Sequence, residues 1–255
     1  MENDVYIWGI EKMDKFDFVK EVEEKQAPLL EKLRKEVESF PKLEPNGKPY
    51  YFYNMAYRTL RDFTRDYIKQ KNKERREIDV LALAHMVYGW MPTILNIDKD
   101  KKGKKEQPSN EWLNNFNEAL ETFKSDFNEI TKIKEIIDKN RLNKIVENVK
   151  KITNNSVIGA SKLLHFINPE FFPIYDSRVF HAIRKLSEFK KEKEDWDTVD
   201  KVDKYISYIA MILKWRNNTD ELNKIRPKLT NNNYIDDKAS DIRVLEVALF
   251  IYGGK

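Results

Sequence analysis

Apolar residues recur at helical spacing along almost the whole chain, and this constrains the fold more than any other feature. Leu142, Ile145, Val146, Val149 and Ile152 repeat at three- and four-residue steps, as do Val202, Tyr205, Ile206, Ile209, Ile212 and Trp215. Such spacing puts every apolar side chain on one face of a helix and offers a strand nothing to alternate. Further stripes run through Tyr57, Leu60, Phe63 and Tyr67, and through Leu113, Phe116, Leu120 and Phe123, with Phe127 and Ile130 beyond. Lys12–Lys25 reads as a first helix, and Pro28 opens a second that reaches about Phe40. Residues 41–53, with Pro41, Pro45-Asn46-Gly47, Pro49 and the aromatic run Tyr50–Tyr53, read as a loop, and Asn54 as the cap of the next helix. Ile78–Tyr88 is apolar nearly all round and predicts a central, buried helix ended by Gly89-Trp90-Met91-Pro92. Pro92 can open a short helix carrying Ile94 and Leu95, and Ser109 caps the one after it. The last helix runs from about Asp241 to Tyr252, with Gly253 as its stop signal. Val5–Trp8 is the one strand candidate. The expectation is an all-α body of about ten helices spanning residues 1–255, with 1–108 and 109–255 as possible lobes.

Composition narrows the chemistry. Cysteine is absent, which excludes disulfide frameworks, thiolate metal sites and cysteine nucleophiles. The three histidines, His85, His165 and His181, show no metal-ligand spacing, and His85, inside an apolar helix, is expected to be a hydrogen-bonded core residue. No metal and no cofactor are called for. Apolar runs such as Val80–Val87 and Val247–Tyr252 are too short to cross a bilayer. The first residues, Met1-Glu2-Asn3-Asp4-Val5, lack the apolar stretch of a secretory signal. A cytoplasmic, nucleoid-associated protein without a membrane partner is expected, most simply a monomer.

Charge is uneven along the chain. Residues 1–40 carry seven Lys/Arg against eleven Asp/Glu, or −4, so with +4 for the whole chain residues 41–255 carry +8. Two clusters concentrate it: Lys69, Lys71, Lys73, Arg75 and Arg76, and then Lys99, Lys101, Lys102, Lys104 and Lys105. Clusters of this kind track phosphate backbones by releasing condensed counterions, although a solvated loop uses the same residues.

The segment richest in chemistry follows the Leu142–Ile152 stripe. Ser156-Val157-Ile158-Gly159-Ala160-Ser161-Lys162 reads as a tight turn of small residues leading into a short helix from Ser161. Phe172-Pro173-Ile174-Tyr175-Asp176 then forms a proline loop, and Asp176 caps a third helix whose Val179, Ile183 and Leu186 face inward. Residues 156–183, within a unit covering 142–190, resemble the helix-hairpin-helix segment of DNA glycosylases, particularly the 8-oxoguanine type. Ile158-Gly159-Ala160-Ser161-Lys162 is similar to the family's glycine hairpin ending in lysine. It departs from that pattern in setting its single glycine between Ile158 and Ala160. Phe172–Asp176 is similar to the family's proline loop.

The resemblance implies a helix-hairpin-helix glycosylase fold, with Lys162 as the amine nucleophile and Asp176 as the essential carboxylate. It implies that Ser156, Ile158, Gly159, Ala160 and Ser161 grip a phosphate, and that the partner is duplex DNA carrying a damaged base such as 8-oxoguanine. The chemistry needs these residue types: a carboxylate stabilises positive charge on the sugar, and a desolvated amine can attack it. The target must be flipped into an aromatic pocket, for which Phe166, Tyr88, Trp90 and Trp215 are candidates; Tyr50–Tyr53 could stack on bases. Two other readings stay open: a non-catalytic nucleic-acid binder that keeps the hairpin, and a helical interaction protein of a phage-defence system.

Overall fold

The computed structural model describes residues 26–43, 49–69, 77–90, 110–134, 138–153, 155–186 and 201–254. These hold ten helices and no strand: α1 (Gln26–Glu38), α2 (Pro49–Lys69), α3 (Glu77–Trp90), α4 (Asn110–Ile130), α5 (Lys139–Ile152), α6 (Val157–Ile167), α7 (Ser177–Leu186), α8 (Val202–Arg216), α9 (Thr219–Asn231) and α10 (Asp241–Gly253). The all-α expectation is met. The helix expected over Lys12–Lys25, the strand candidate Val5–Trp8, the short helix after Pro92 and the Ser109 cap lie outside the described residues. Among the described residues no helix is long and apolar enough to cross a membrane.

The stripes read from sequence are the buried faces. Leu142, Ile145, Val146, Val149 and Ile152 of α5 are buried, as are Tyr205, Ile206, Ile209, Ile212 and Trp215 of α8 and Phe123, Phe127 and Ile130 of α4. Side chains supply the caps: Asp138 accepts from the Arg141 amide, Asn218 from Glu221 and Ser240 from Arg243, each satisfying a donor that its helix leaves over. α6 packs against α2, α3, α5 and α8, and α10 against α1, α7, α8 and α9. Almost all of α6 is consequently buried, from Val157 to Ile167 with Ile158 alone half-buried.

Four expectations are corrected. The helix read from Asn54 begins at Pro49, whose fixed φ suits a first turn. Asn54 is an interior, buried residue of it, and its amide donates to the carbonyl of Asn233 at 2.6 Å. Phe63, read as part of the inward stripe, is 50% exposed. α3 is not buried all round: Leu83, Ala84 and Val87 face the core while Ala82, His85 and Met86 are exposed, so His85 is no core residue. Finally, Gly253 is not a stop signal but the last residue of α10, and it is there for packing. A Cβ at that position would lie 1.8 Å from the carbonyl oxygen of Arg178, so only glycine lets the end of α10 rest on the start of α7.

Candidate active site

The hairpin between α5 and α6 sets the geometry. Thr153 ends α5, with its amide on the Lys150 carbonyl and its hydroxyl 3.0 Å from the Val149 carbonyl. Asn155 turns the chain through a left-handed conformation (φ 53°), which asparagine tolerates better than most residues. Ser156 caps α6 by accepting from the Gly159 amide. Gly159 lies against Thr153, where a Cβ would come within 3.0 Å of the threonine Cβ, so glycine is what lets α6 close onto α5. The turn thus ends at Ser156, and the run of small residues after it belongs to the helix. Lys162 sits in the second turn of α6 rather than at the helix start read from sequence.

Of the residues expected to grip a phosphate, Ser156 and Ile158 are half-buried, whereas Gly159, Ala160 and Ser161 are buried. The Gly159 and Ala160 amides are engaged by the side chain and carbonyl of Ser156. Lys69 is the last residue of α2; its side chain, the residues Lys71, Lys73, Arg75 and Arg76 and the cluster at 99–105 lie outside the described residues.

The loop after α6 is tied down nearly residue by residue. His165 Nδ1 donates to the Phe172 carbonyl at 2.7 Å, so its Nε2 accepts from the Tyr57 hydroxyl, also at 2.7 Å. The ring is therefore neutral, and burial together with the Arg243 charge pushes its pKa down to about 3. The Tyr205 hydroxyl donates to the Pro173 carbonyl at 3.1 Å. The Ser161 hydroxyl oxygen accepts from the Tyr175 amide at 3.0 Å. Asp176 Oδ1 then accepts from the Val179 amide at 2.9 Å and caps α7. Each tie satisfies a backbone group that would otherwise be buried unpaired, and together they fix the direction of the Asp176 carboxyl.

Lys162 and Asp176 are brought together inside the protein, 1% and 8% exposed. Burial pushes the Lys162 amine down to about 8, against the opposing pull of the Asp176 charge. Burial also pushes the Asp176 carboxyl up, opposed by the Val179 amide, by Lys162 and by the Arg178 amide. At that value about a tenth of the amines are neutral at pH 7. The arrangement can hold a reactive amine beside a fixed carboxylate in a medium where charge–charge interactions are strong.

The aromatic candidates divide. Phe166 and Trp215 are buried, and the Phe166 ring lies 5.2 Å from that of Tyr57, tilted by 44°, within the core. The side chains of Tyr88, Trp90 and Tyr50–Tyr53 lie outside the described residues. His165, alone of the three histidines, is buried, while His85 and His181 are exposed. Sequence reading missed Glu246 of α10 and Tyr208 of α8, buried groups whose ionisation the Asp176 charge opposes, and the buried Arg243 that pairs with Glu246. An Arg and a Glu three apart on a helix read as an ordinary surface pair, and no local signal marks them otherwise. Comparison with family models, with curated proteins and with solved structures returns no match.

Proposed function

We propose that this chain is a DNA glycosylase of the helix-hairpin-helix type, excising an altered base through Lys162 and Asp176. The observation that carries the reading is a lysine amine withdrawn from water and lowered to about 8 beside a carboxylate that caps the next helix. On this reading the neutral Nζ attacks C1′ of a flipped nucleotide. The C1′–N bond breaks, the base leaves with the bonding electrons and takes up a proton, and Nζ gives up a proton to water. Asp176 stabilises the positive charge that develops on the sugar. Loss of the sugar ring oxygen from C1′ then leaves an imine, which permits strand cleavage. Because Lys162 is sealed, the nucleotide enters only as the side chains over it move, so binding and opening are coupled. The partner is duplex DNA with a damaged base, met in the nucleoid, and the reaction requires no cofactor.

Borohydride trapping tests this. Duplex oligonucleotides carrying altered bases, 8-oxoguanine first, should yield a covalent protein–DNA adduct. Lys162→Gln should abolish the adduct, and Asp176→Asn should slow base release by about 100-fold or more. Asn caps a helix nearly as well as Asp, so an unchanged melting temperature in Asp176→Asn isolates the chemical role. Base release by both variants at the parent's rate would refute the assignment. Salt-dependent DNA binding without release of any base would favour the non-catalytic binder instead.

A further inference from the structure

All the charge on α7 is basic: its sequence holds Arg178, His181, Arg184 and Lys185 and no carboxylate. Val179, Phe180, Ala182, Ile183 and Leu186 are buried, which turns the basic residues outward. Arg178, His181 and Lys185 are exposed and Arg184 is half-buried. Positions 178, 181 and 185 are three and four apart, so they stack along one stripe of the helix. Among the described residues, aromatic rings rather than carboxylates hold Arg178 and Lys185. The Arg178 guanidinium lies 4.7 Å over the Phe250 ring, and the Lys185 amine lies 5.6 Å from the Tyr252 ring and 3.5 Å from the Tyr252 carbonyl oxygen. Two neighbouring helices add cations beside the stripe. The Lys204 amine of α8 lies 5.3 Å over Phe180, and the Lys32 amine of α1 donates to the Lys185 carbonyl at 3.4 Å. A ring or a carbonyl orients a cation without cancelling its charge, whereas a carboxylate cancels it. Other arginines of this protein are matched in that way: Arg34 with Glu221, Arg65 with Asp62, Arg141 with Asp126 and Arg226 with Asp241.

Helix electrostatics account for only part of this stripe. Cations suit the last turn, where Arg184 and Lys185 stand, but the positive end of the helix dipole repels them from the first turn, where Arg178 stands. The helix itself gives Arg178 no electrostatic reason to be basic, and an external anion supplies one. Resting on the glycosylase reading, we infer that the exposed stripe of α7 is a docking surface for the phosphate backbone of duplex DNA, gripping the strand beside the nucleotide that the site takes. α7 begins immediately after Asp176, whose carboxylate caps its first turn by accepting from the Val179 amide. Arg178 thus stands next to the site, and Lys185 lies about 10 Å further along the helix axis. One strand of a duplex presents about three phosphates over that length. The stripe therefore fits a run of backbone better than a single anion, and a strand laid along it leads to the Asp176 cap.

The test is fluorescence anisotropy of a short, labelled, undamaged duplex titrated with the full chain between about 50 and 200 mM salt. The double variant Arg178→Gln, Lys185→Gln should flatten the slope of log affinity against log salt by about 1.8, or about 0.9 for each lost phosphate contact. A second double variant, Lys224→Gln, Lys228→Gln, removes the same charge from exposed positions of α9 and should leave the slope at the parent's value. An unchanged slope in the α7 variant, or the same flattening in both variants, overturns the inference. So does a parent that binds no duplex, or that prefers vesicles of anionic lipid to the duplex. Should the α7 double variant fail to fold, Lys185→Gln alone decides, with an expected flattening of about 0.9. Borohydride trapping reads the chemistry separately. Flattening without an adduct on any substrate upholds the docking surface and favours the non-catalytic binder, whereas an adduct without flattening keeps the glycosylase reading and overturns the surface.

Discussion

Replacing Lys162 with methionine should change stability by an amount that depends on pH in a calculable way. Methionine keeps the length and apolar character of the lysine stem and cannot ionise. The amine titrates near 8 in the folded protein against 10.5 as the ordinary value. A lysine whose folded pKa is depressed contributes stability that is fully present above the unfolded pKa and is lost as pH falls through the folded one. Integrated between those two values, the parent should gain about 2.5 kcal/mol on the methionine variant from pH 7 to pH 10. Because Lys162 is 1% exposed, solvent screening takes little from this figure. The buried tyrosines Tyr57, Tyr205 and Tyr208 also affect alkaline stability, since burial raises their pKa. They are common to both proteins and cancel in the difference.

The assay is urea unfolding of parent and variant at pH 7, 8, 9 and 10, comparing differences in unfolding free energy. The difference should move in favour of the parent with a slope that reaches about 1.2 kcal/mol per unit in the middle of the range. A gap that stays constant within about 0.5 kcal/mol, which is the scatter expected for unrelated sites, would show that the amine is not desolvated, and the proposed nucleophile would lose its physical basis.

Other outcomes follow from particular contacts. Gly253→Ala should destabilise the chain by about 3 kcal/mol, because its Cβ meets the rigid carbonyl of Arg178 rather than a side chain that can move; an unchanged melting temperature would refute the close approach of α10 to α7. Ser161→Ala leaves the Tyr175 amide unpaired in the interior and should cost about 2 kcal/mol in chemical denaturation, whereas Ser161→Thr should recover most of that loss if it fits. If the basic clusters at 69–76 and 99–105 contact DNA, neutralising one should flatten the dependence of log affinity on log salt by about 0.9 per lost phosphate contact; a slope equal to the parent's would remove that cluster from the interface.

Helical periodicity determined the fold class, because α4 and α5 each carry an apolar stripe strong enough to define a face without any neighbour. Where the pattern lacks a face it does not say which side is buried. α3 is apolar nearly all round, so its neighbours α2, α4 and α6 chose Leu83, Ala84 and Val87 for the core and left His85 in water. Local turn chemistry misled in the same way. Ser156–Ser161 has the residues of a turn, yet Gly159 serves a close helix–helix approach and the helix begins at Val157. The candidate pair, Lys162 and Asp176, was legible because a lysine after small residues and an aspartate after a proline loop are local features. Their shared burial was not, since it is the sum of α2, α3, α5 and α8 closing around α6. Still less legible were Tyr208, Arg243 and Glu246, which stand 32 to 70 positions beyond Asp176 in the chain. Local sequence sets which residues can carry a charge, but only tertiary packing removes the water around them, and that removal lowers the pKa of an ordinary lysine and raises those of two carboxylates.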